Sequence, residues 1–201
     1  MTDIFILFYA LMIASALLGS WFYIKSCMPA ALEKQVGPIS YQRCAKLRYY
    51  SSMCLSLSFM YFFCYNFPEL RSGILWLDYF SWNYWISFGL AIAIFIPGIM
   101  IFKKGRKDLG VESDAPKEYH KVVSTGIYAY VRHPQLLGEI LFWYAISFLM
   151  HAPILALTAT LFWIPLYVVW CVFEEKDLVA RYGDEYVEYR KKTKFLIPFI
   201  L

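Results

Sequence analysis

Between Thr125 and Phe142 the chain reads TGIYAYVRHPQLLGEILF, which sets a guanidinium, an imidazole, a proline and a carboxylate at the head of a strongly apolar segment. Pro134 has the position of a proline at the first residue of a helix, and that makes His133 the N-cap. Helix N-termini present unpaired N–H groups and a positive partial charge, to which Arg132 adds a full one. Together the three suit a carboxylate or a phosphate. About forty residues later, Glu174 and Glu175 close the next apolar run. Two carboxylates at a helix C-terminus oppose the dipole there, so they serve a bound cation better than they serve the helix. If both helix ends lie on one side, a zwitterionic, amino-acid-like ligand fits between them.

Glu139 differs, because it lies inside the apolar run. An ionisable residue there is expensive and faces a cavity or a partner. It is either a functional carboxylate or one neutralised by Arg132, by Lys121 or by a proton. Glu139 and Arg132 are the candidate catalytic residues. Glu175 stays open between ligand binding and structure, since one of two neighbours on a helix must point away. His151 is read as a turn residue.

The elements that must position these groups are membrane helices. With 60% hydrophobic and 20% aromatic content in 201 residues, the chain is too apolar for an ordinary soluble domain. It is also too short for several membrane domains. Apolar runs cover 4–24, 49–67, 82–102, 135–150 and 152–173. At 1.5 Å rise per residue the first three are about 28–32 Å long, enough for a hydrocarbon core of roughly 30 Å. The fourth is short, at about 24 Å, so its head is a partly buried place. Only His151 separates it from the fifth, which forces an antiparallel hairpin, with Pro153 in the first turn of the returning helix. The expected fold is all-α: one domain over 1–201, five transmembrane helices, and a short cytosolic helical cap over 174–201. In that cap, Leu178, Val179, Tyr182, Tyr186 and Tyr189 recur at helical spacing, and Gly183 marks a break between two short helices. The first run lacks a basic n-region and a small-residue cleavage site, so it reads as a retained span.

Basic residues test this layout, because cytoplasmic loops collect Lys and Arg. With five spans, all of the 19 Lys and Arg except Arg71 fall on one side. That side is the cytosol, with the N-terminus outside and the C-terminus inside. The loop ILWLDYFSWNYW has the Trp and Tyr enrichment of an interfacial belt, and the basic tail YRKKTK suits anionic lipid. The net charge of +4 is no argument for nucleic acid in so apolar a chain. Five cysteines show neither CxxC nor metal-like spacing, so neither a metal site nor a disulfide framework is expected.

The stretches GIYAYVRHPQLLGE and EEKDLVARYGDEYVEYRKKTKFLIPF together resemble the isoprenylcysteine carboxyl methyltransferase and phospholipid methyltransferase superfamily of integral membrane enzymes. Its pattern is G-x-Y-x-x-x-R-H-P-x-x-x-G, then a Glu pair, then F/Y-G-x-x-Y-x-x-Y and a terminal Ile/Leu-Pro. The likeness covers about the last ninety residues; the first hundred resemble the family only in being transmembrane. It implies a methyltransferase dependent on S-adenosylmethionine, acting on a lipid or lipidated acceptor that reaches the site from the bilayer. The implied cofactor contacts are His120, Lys121, Val122, Val123, Tyr128, His133, Pro134, Gln135, Leu136 and Glu174, with Glu175 as its neighbour in the pair. By resemblance the acceptor is an isoprenylcysteine carboxylate, with the amine of a phosphatidylethanolamine-like lipid as the alternative. A non-catalytic membrane binding or scaffold protein of the same fold is the alternative of another class. Two positions depart from the pattern. Leu136 stands where the family has tyrosine, and Trp170 stands where isoprenylcysteine methyltransferases carry an arginine one turn before the Glu pair. Trp170 either meets a substrate, offering its ring to an ammonium, or faces lipid.

Overall fold

A computed structural model describes residues 3–110 and 121–196. It is a helical bundle, and among the described residues the only β-type pairing is an isolated parallel bridge between Val131 and Lys194. Helix α1 covers Asp3–Ser26, α2 Pro29–Val36 and α3 Ile39–Cys64. A short turn, α4, covers Leu75–Asp78, and α5 covers Tyr84–Leu109. Next come α6 at Pro134–Leu149, α7 at Pro153–Thr158, α8 at Ile164–Tyr182 and α9 at Asp184–Lys192.

Among the described residues, three helices are long and apolar enough to cross a membrane: α1, α5, and the continuous helix Pro153–Tyr182 formed by α7 and α8. α6 is a shorter apolar helix. A widened π turn at Ala159–Trp163 joins α7 to α8. Pro165 accounts for it, because proline has no N–H to donate and its ring crowds the carbonyl four residues earlier. Large apolar side chains such as Leu7, Leu11, Leu57, Met60, Ile96 and Met100 are exposed on the outer faces, which suits contact with lipid.

Three helices overrun the apolar stretches read from the sequence. α3 starts at Ile39 and not at 49, α5 runs on to Leu109, and α8 runs on to Tyr182. Hydropathy reports where lipid would end, whereas Lys, Arg, Gln, Glu and Leu continue a helix readily into water. The segment before 49, expected as a loop, is therefore α2 and the first turns of α3. Glu174 and Glu175 likewise lie inside a helix and not at its C-terminus, so the dipole argument for them does not hold. The cap separate from α8 begins only at Gly183, where the expected break falls, with φ of 57°.

The predicted hairpin between α6 and α7 is present. His151 occupies the left-handed region at φ 54°, and its Nδ1 lies 2.8 Å from Ser87 Oγ on α5. Phe80 N–H donates to the His151 carbonyl at 3.3 Å, tying the α4 loop to the same far end. α5 and α6 pack backbone to backbone at Gly98 and Gly138. A Cβ on Gly138 would lie 2.8 Å from both the Gly98 carbonyl oxygen and Phe102 Cβ. α1 and α3 approach through serines: Ser51 Oγ donates to the Gly19 carbonyl at 2.8 Å, and Ser58 Oγ to the Met12 carbonyl at 3.1 Å. Small residues permit such close contact where lipid supplies no hydrophobic drive. Between the two pairs lies an aromatic core, with Trp143 stacked on Trp163 at 4.9 Å and tilted against Phe62 at 4.5 Å.

Candidate active site

The C-terminal ends of α1 and α5, the middle of α3, the head of α6 and α8 from Tyr167 onward meet at one end of the bundle. They enclose a cavity of about 480 Å³, within the range of small-molecule sites. Its head is the first turn of α6, where Pro134 is the first residue and His133 the N-cap, as expected, although the imidazole makes no cap hydrogen bond. Gly105 of α5 lets that turn lie close, since a Cβ there would reach Pro134 Cγ at 3.2 Å.

Lys121, Val122, Val123, Tyr128, Arg132, His133, Pro134, Gln135, Leu136, Glu139, Trp170 and Glu174 all border this cavity. Glu175 does not. It is 5% exposed and buried in a cationic nest, accepting from Arg132 Nε at 2.7 Å, lying 3.1 Å from His133 Nε2, and pairing with Arg190 Nε at 3.2 Å. Arg132 also donates to the carbonyls of Arg190 (3.2 Å) and Thr193. The Glu pair is therefore divided, one carboxylate to a structural clasp and one to the cavity. His120 lies outside the described residues.

The clasp fastens a strap over the site. Arg132 N–H donates to the Lys194 carbonyl at 2.8 Å, His133 N–H to the Phe195 carbonyl at 3.2 Å, and Tyr189 hydroxyl to the Tyr128 carbonyl at 2.7 Å. Tyr186 and Tyr189 of α9 thereby become part of the cavity wall. Gln135 Nε2 donates to the Tyr128 hydroxyl at 3.1 Å, fixing the phenol against the head of α6.

The half of the wall that the sequence reading missed comes from the N-terminal helices. Tyr23 hydroxyl donates to Glu174 Oε1 at 2.7 Å. Arg48 lies over the Tyr23 ring, 3.8 Å from its centroid, and Trp170 stacks on the same ring at 4.3 Å. Both contacts are face-on, so they occupy opposite faces of Tyr23. Trp170 is 5% exposed, which removes the lipid-facing reading for it. One ring face is covered by Tyr23, and Tyr167 packs against it as well, at 4.8 Å with rings at 80°. Trp170 Nε1 is buried without a hydrogen-bond partner among the described residues, a cost that a bound polar group would remove. Asp177, one turn after Glu174, takes the Ala30 N–H at 2.9 Å and Arg181 at 2.7 Å, docking α2 beside the opening. The fold also brings one ligand atom each of His133, Cys171 and Glu174 within 4.8 Å of one another, a grouping that no spacing along the chain announces.

A helical membrane-type bundle with a charged, aromatic-walled cavity at one end is the frame in which the comparisons fall. Residues 86–185 match the phospholipid methyltransferase family. The chain is 38% identical over 87 residues to the protein-S-isoprenylcysteine O-methyltransferase of Saccharomyces cerevisiae, a match covering 40% of this chain and 34% of that protein. It is 26% identical over 160 residues to protein-S-isoprenylcysteine O-methyltransferase B of Arabidopsis thaliana, covering 75% and 78%. It is 37% identical over 86 residues to the methanethiol S-methyltransferase of Crocosphaera subtropica, covering 42% and 32%. The yeast and cyanobacterial relatives are thus matched over only about a third of their length. No solved structure matches the chain significantly. Residues 86–185 thus carry a domain of the phospholipid methyltransferase family, to which the isoprenylcysteine O-methyltransferase relatives are similar.

Proposed function

We propose that the chain is an integral membrane methyltransferase that draws its methyl group from S-adenosylmethionine and delivers it to the carboxylate of a lipid-embedded, isoprenylcysteine-like acceptor. The observation that carries the reading is that Glu174, the head of α6 and the 121–123 segment border one and the same cavity. Its groups fit the cofactor: carboxylates for an ammonium and a sulfonium, a guanidinium for a carboxylate, and apolar and aromatic walls for adenine. Bound there, S-adenosylmethionine supplies an electrophilic methyl group on a positively charged sulfur. Glu174, oriented by Tyr23, holds the ammonium end. Val122, Val123, Tyr186 and Tyr189 would pack on the adenine, with Lys121 at its edge. Tyr128, His133, Pro134, Gln135 and Leu136 orient the ligand at the head of α6. Arg132 and Glu175 act by positioning, because they hold the strap that completes the wall. Trp170, Tyr167 and Leu136 keep water from the reacting atoms, and holding reactants in near-attack geometry is the main contribution open to a protein in such a transfer. A carboxylate acceptor arrives ionised and needs no base. Glu139 then has an electrostatic task, keeping the potential negative where a sulfonium is to sit.

Three features favour this acceptor. A second, smaller cavity, of about 360 Å³, shares Ser52, Leu55 and Tyr167 with the first and continues along Phe59, Trp143 and Trp163. Such a path suits a lipid chain better than methanethiol. The Trp170 ring, packed by Tyr23 and Tyr167, is a poor receptor for an ammonium, and that counts against the phospholipid amine. Arg48 in the wall favours an anion.

For the membrane we read α1, α3, α5, α6 and α7 with α8 as five crossings of one domain, cavity end and C-terminus in the cytosol and N-terminus outside. The charge distribution supports it, with Arg71 the exception among the 19 basic residues. Methyl transfer from labelled S-adenosylmethionine to N-acetyl-S-farnesylcysteine, phosphatidylethanolamine and methanethiol tests the acceptor; transfer to the farnesylated substrate alone is expected. Transfer to either of the others in its place would move the acceptor class. Well-folded protein that fails to bind S-adenosylhomocysteine in titration calorimetry would leave the non-catalytic reading.

A further inference from the structure

Among the described residues, Arg48, Lys121, Arg132, His133 and Arg181 are the cationic or potentially cationic side chains bordering the cavity. Lys121 is exposed to solvent. Arg132 and His133 share Glu175, at 2.7 and 3.1 Å, and Arg181 has Asp177 at 2.7 Å. Arg48 is the exception. Its side chain is only 16% exposed, yet its nearest carboxylate oxygen, Glu174 Oε1, is 4.0 Å from Nη1. That oxygen already accepts from Tyr23 at 2.7 Å. Among the described residues, Nε of Arg48 donates to Ser26 Oγ at 2.8 Å and Nη2 meets the Cys27 sulfur at 3.5 Å, a weak acceptor. A guanidinium carries five donors, and leaving several of them inside a protein without an acceptor is expensive. The ring of Tyr23 beneath it and Ser26 beside it hold the plane fixed, so the arginine is preorganised and incompletely satisfied.

We propose that Arg48 is the carboxylate receptor of this site, reaching from α3 to a place that α8 leaves without a cation because it carries Trp170. The inference rests on the methyltransferase reading and deepens it. A planar guanidinium suits a carboxylate through two parallel hydrogen bonds. The Glu174 carboxylate beside it repels a phosphate dianion but accommodates a monoanion, and best of all a zwitterion whose ammonium meets Glu174. Two ligands of the reaction present that group: the amino-acid end of the cofactor and the cysteine carboxylate of a prenylated acceptor.

The test compares ligand pairs that differ in the carboxylate, with wild type, Arg48→Met and Arg48→Lys in detergent micelles. The first pair is S-adenosylhomocysteine and its decarboxylated analogue; the second is N-acetyl-S-farnesylcysteine and its methyl ester. Binding is read by calorimetry, without turnover. Wild type is expected to prefer the carboxylate member of at least one pair by about tenfold or more. Arg48→Met abolishes that preference and Arg48→Lys, which keeps charge but loses the planar fork, reduces it. Each variant is compared with itself, so a general loss of affinity does not mimic the result, and Arg48→Lys carries the test if the methionine variant does not fold. The pair that loses its preference identifies the source of the carboxylate. Preferences unchanged in both variants overturn the assignment of Arg48 while leaving the methyltransferase reading intact. Folded wild type that binds none of the four ligands overturns both.

Discussion

At the far end of the bundle Asp78 is 5% exposed and accepts four hydrogen bonds, from the Tyr65 hydroxyl, the Ser72 N–H and hydroxyl, and the Gly73 N–H. At the cavity end Glu174 has one hydroxyl at 2.7 Å, the Cys27 thiol, a weak donor, at 3.8 Å and a guanidinium at 4.0 Å. The contrast separates a carboxylate that is finished from one that is reserved. Asp78 draws neutral donors mostly from its own loop, so its shell is complete as the chain folds and it stabilises a turn. Glu174 draws on two other helices and remains open on the cavity side. Glu175, its neighbour, belongs with Asp78 in this respect, since Arg132, His133 and Arg190 saturate it. Burial alone does not separate these acids; the count of unmet hydrogen-bonding positions does.

The largest effect is expected at Glu175. Glu175→Ala leaves Arg132 partly buried without its counter-charge, a change that typically costs about 3–5 kcal/mol. Thermal unfolding in detergent should drop steeply, and limited proteolysis should cut the tail first. A melting point close to wild type would mean that the clasp is dispensable.

Glu174→Gln keeps the shape and removes the charge. Affinity for S-adenosylhomocysteine should fall about tenfold or more, from the loss of one partner of a desolvated pair worth roughly 2–5 kcal/mol, with a far smaller change in melting temperature than at Glu175. Equal losses of stability at both positions would erase the distinction between them.

Gly138→Ala sits between the two ends and probes the α5 and α6 contact that aims the head of α6. Its new methyl would meet the Gly98 carbonyl at 2.8 Å, and forced overpacking costs about 1–3 kcal/mol. Both stability and ligand affinity should decline together, because moving α6 moves His133 through Leu136.

The smallest effect concerns Asp78. Burial would raise its pKa, but the hydrogen bonds from Ser72, Tyr65 and the backbone N–H groups of Ser72 and Gly73 outweigh it, so the carboxyl stays below its ordinary range. A depressed folded pKa means that the ionised acid stabilises the fold above the ordinary carboxylate value of about 3.9 and that this contribution fades as pH falls through the folded value. Asp78→Asn should cost about 1–2 kcal/mol and flatten the acid limb of a stability profile taken from pH 7 downward. It should leave cofactor affinity untouched, and a binding defect there would couple two ends that this comparison keeps apart.

The α6 and α7 hairpin, the N1 proline of α6 and the break at Gly183 were legible in the sequence because proline and glycine act locally on φ and on the available donors. Helix ends were misjudged wherever charge followed apolar residues, since the helix outlasts the hydropathy. The cavity residues near the R-H-P stretch and Glu174 were legible as a motif. Tyr23 and Arg48 were not. Tyr23 and Glu174 are 151 residues apart in the chain, and nothing in a lone tyrosine near the end of an apolar run announces such a partner. Arg48 read as one more cytosolic cation because charge counting does not ask which way a side chain turns. That Glu174 and Glu175 would point apart was legible from helix geometry, but the clasp that takes Glu175 was not, as it depends on Arg190 arriving from another helix.

The parallel bridge between Val131 and Lys194 has a consequence for biogenesis. The segment that opens α6 leaves the ribosome well before the tail segment that covers it, and α7, α8 and α9 must be made in between. Until then Arg132 and Glu175 have no tail to hold and the wall lacks Tyr186 and Tyr189. A nascent chain therefore inserts its helices before the cavity wall is complete, and Tyr186 and Tyr189 can join that wall only once α9 has been made.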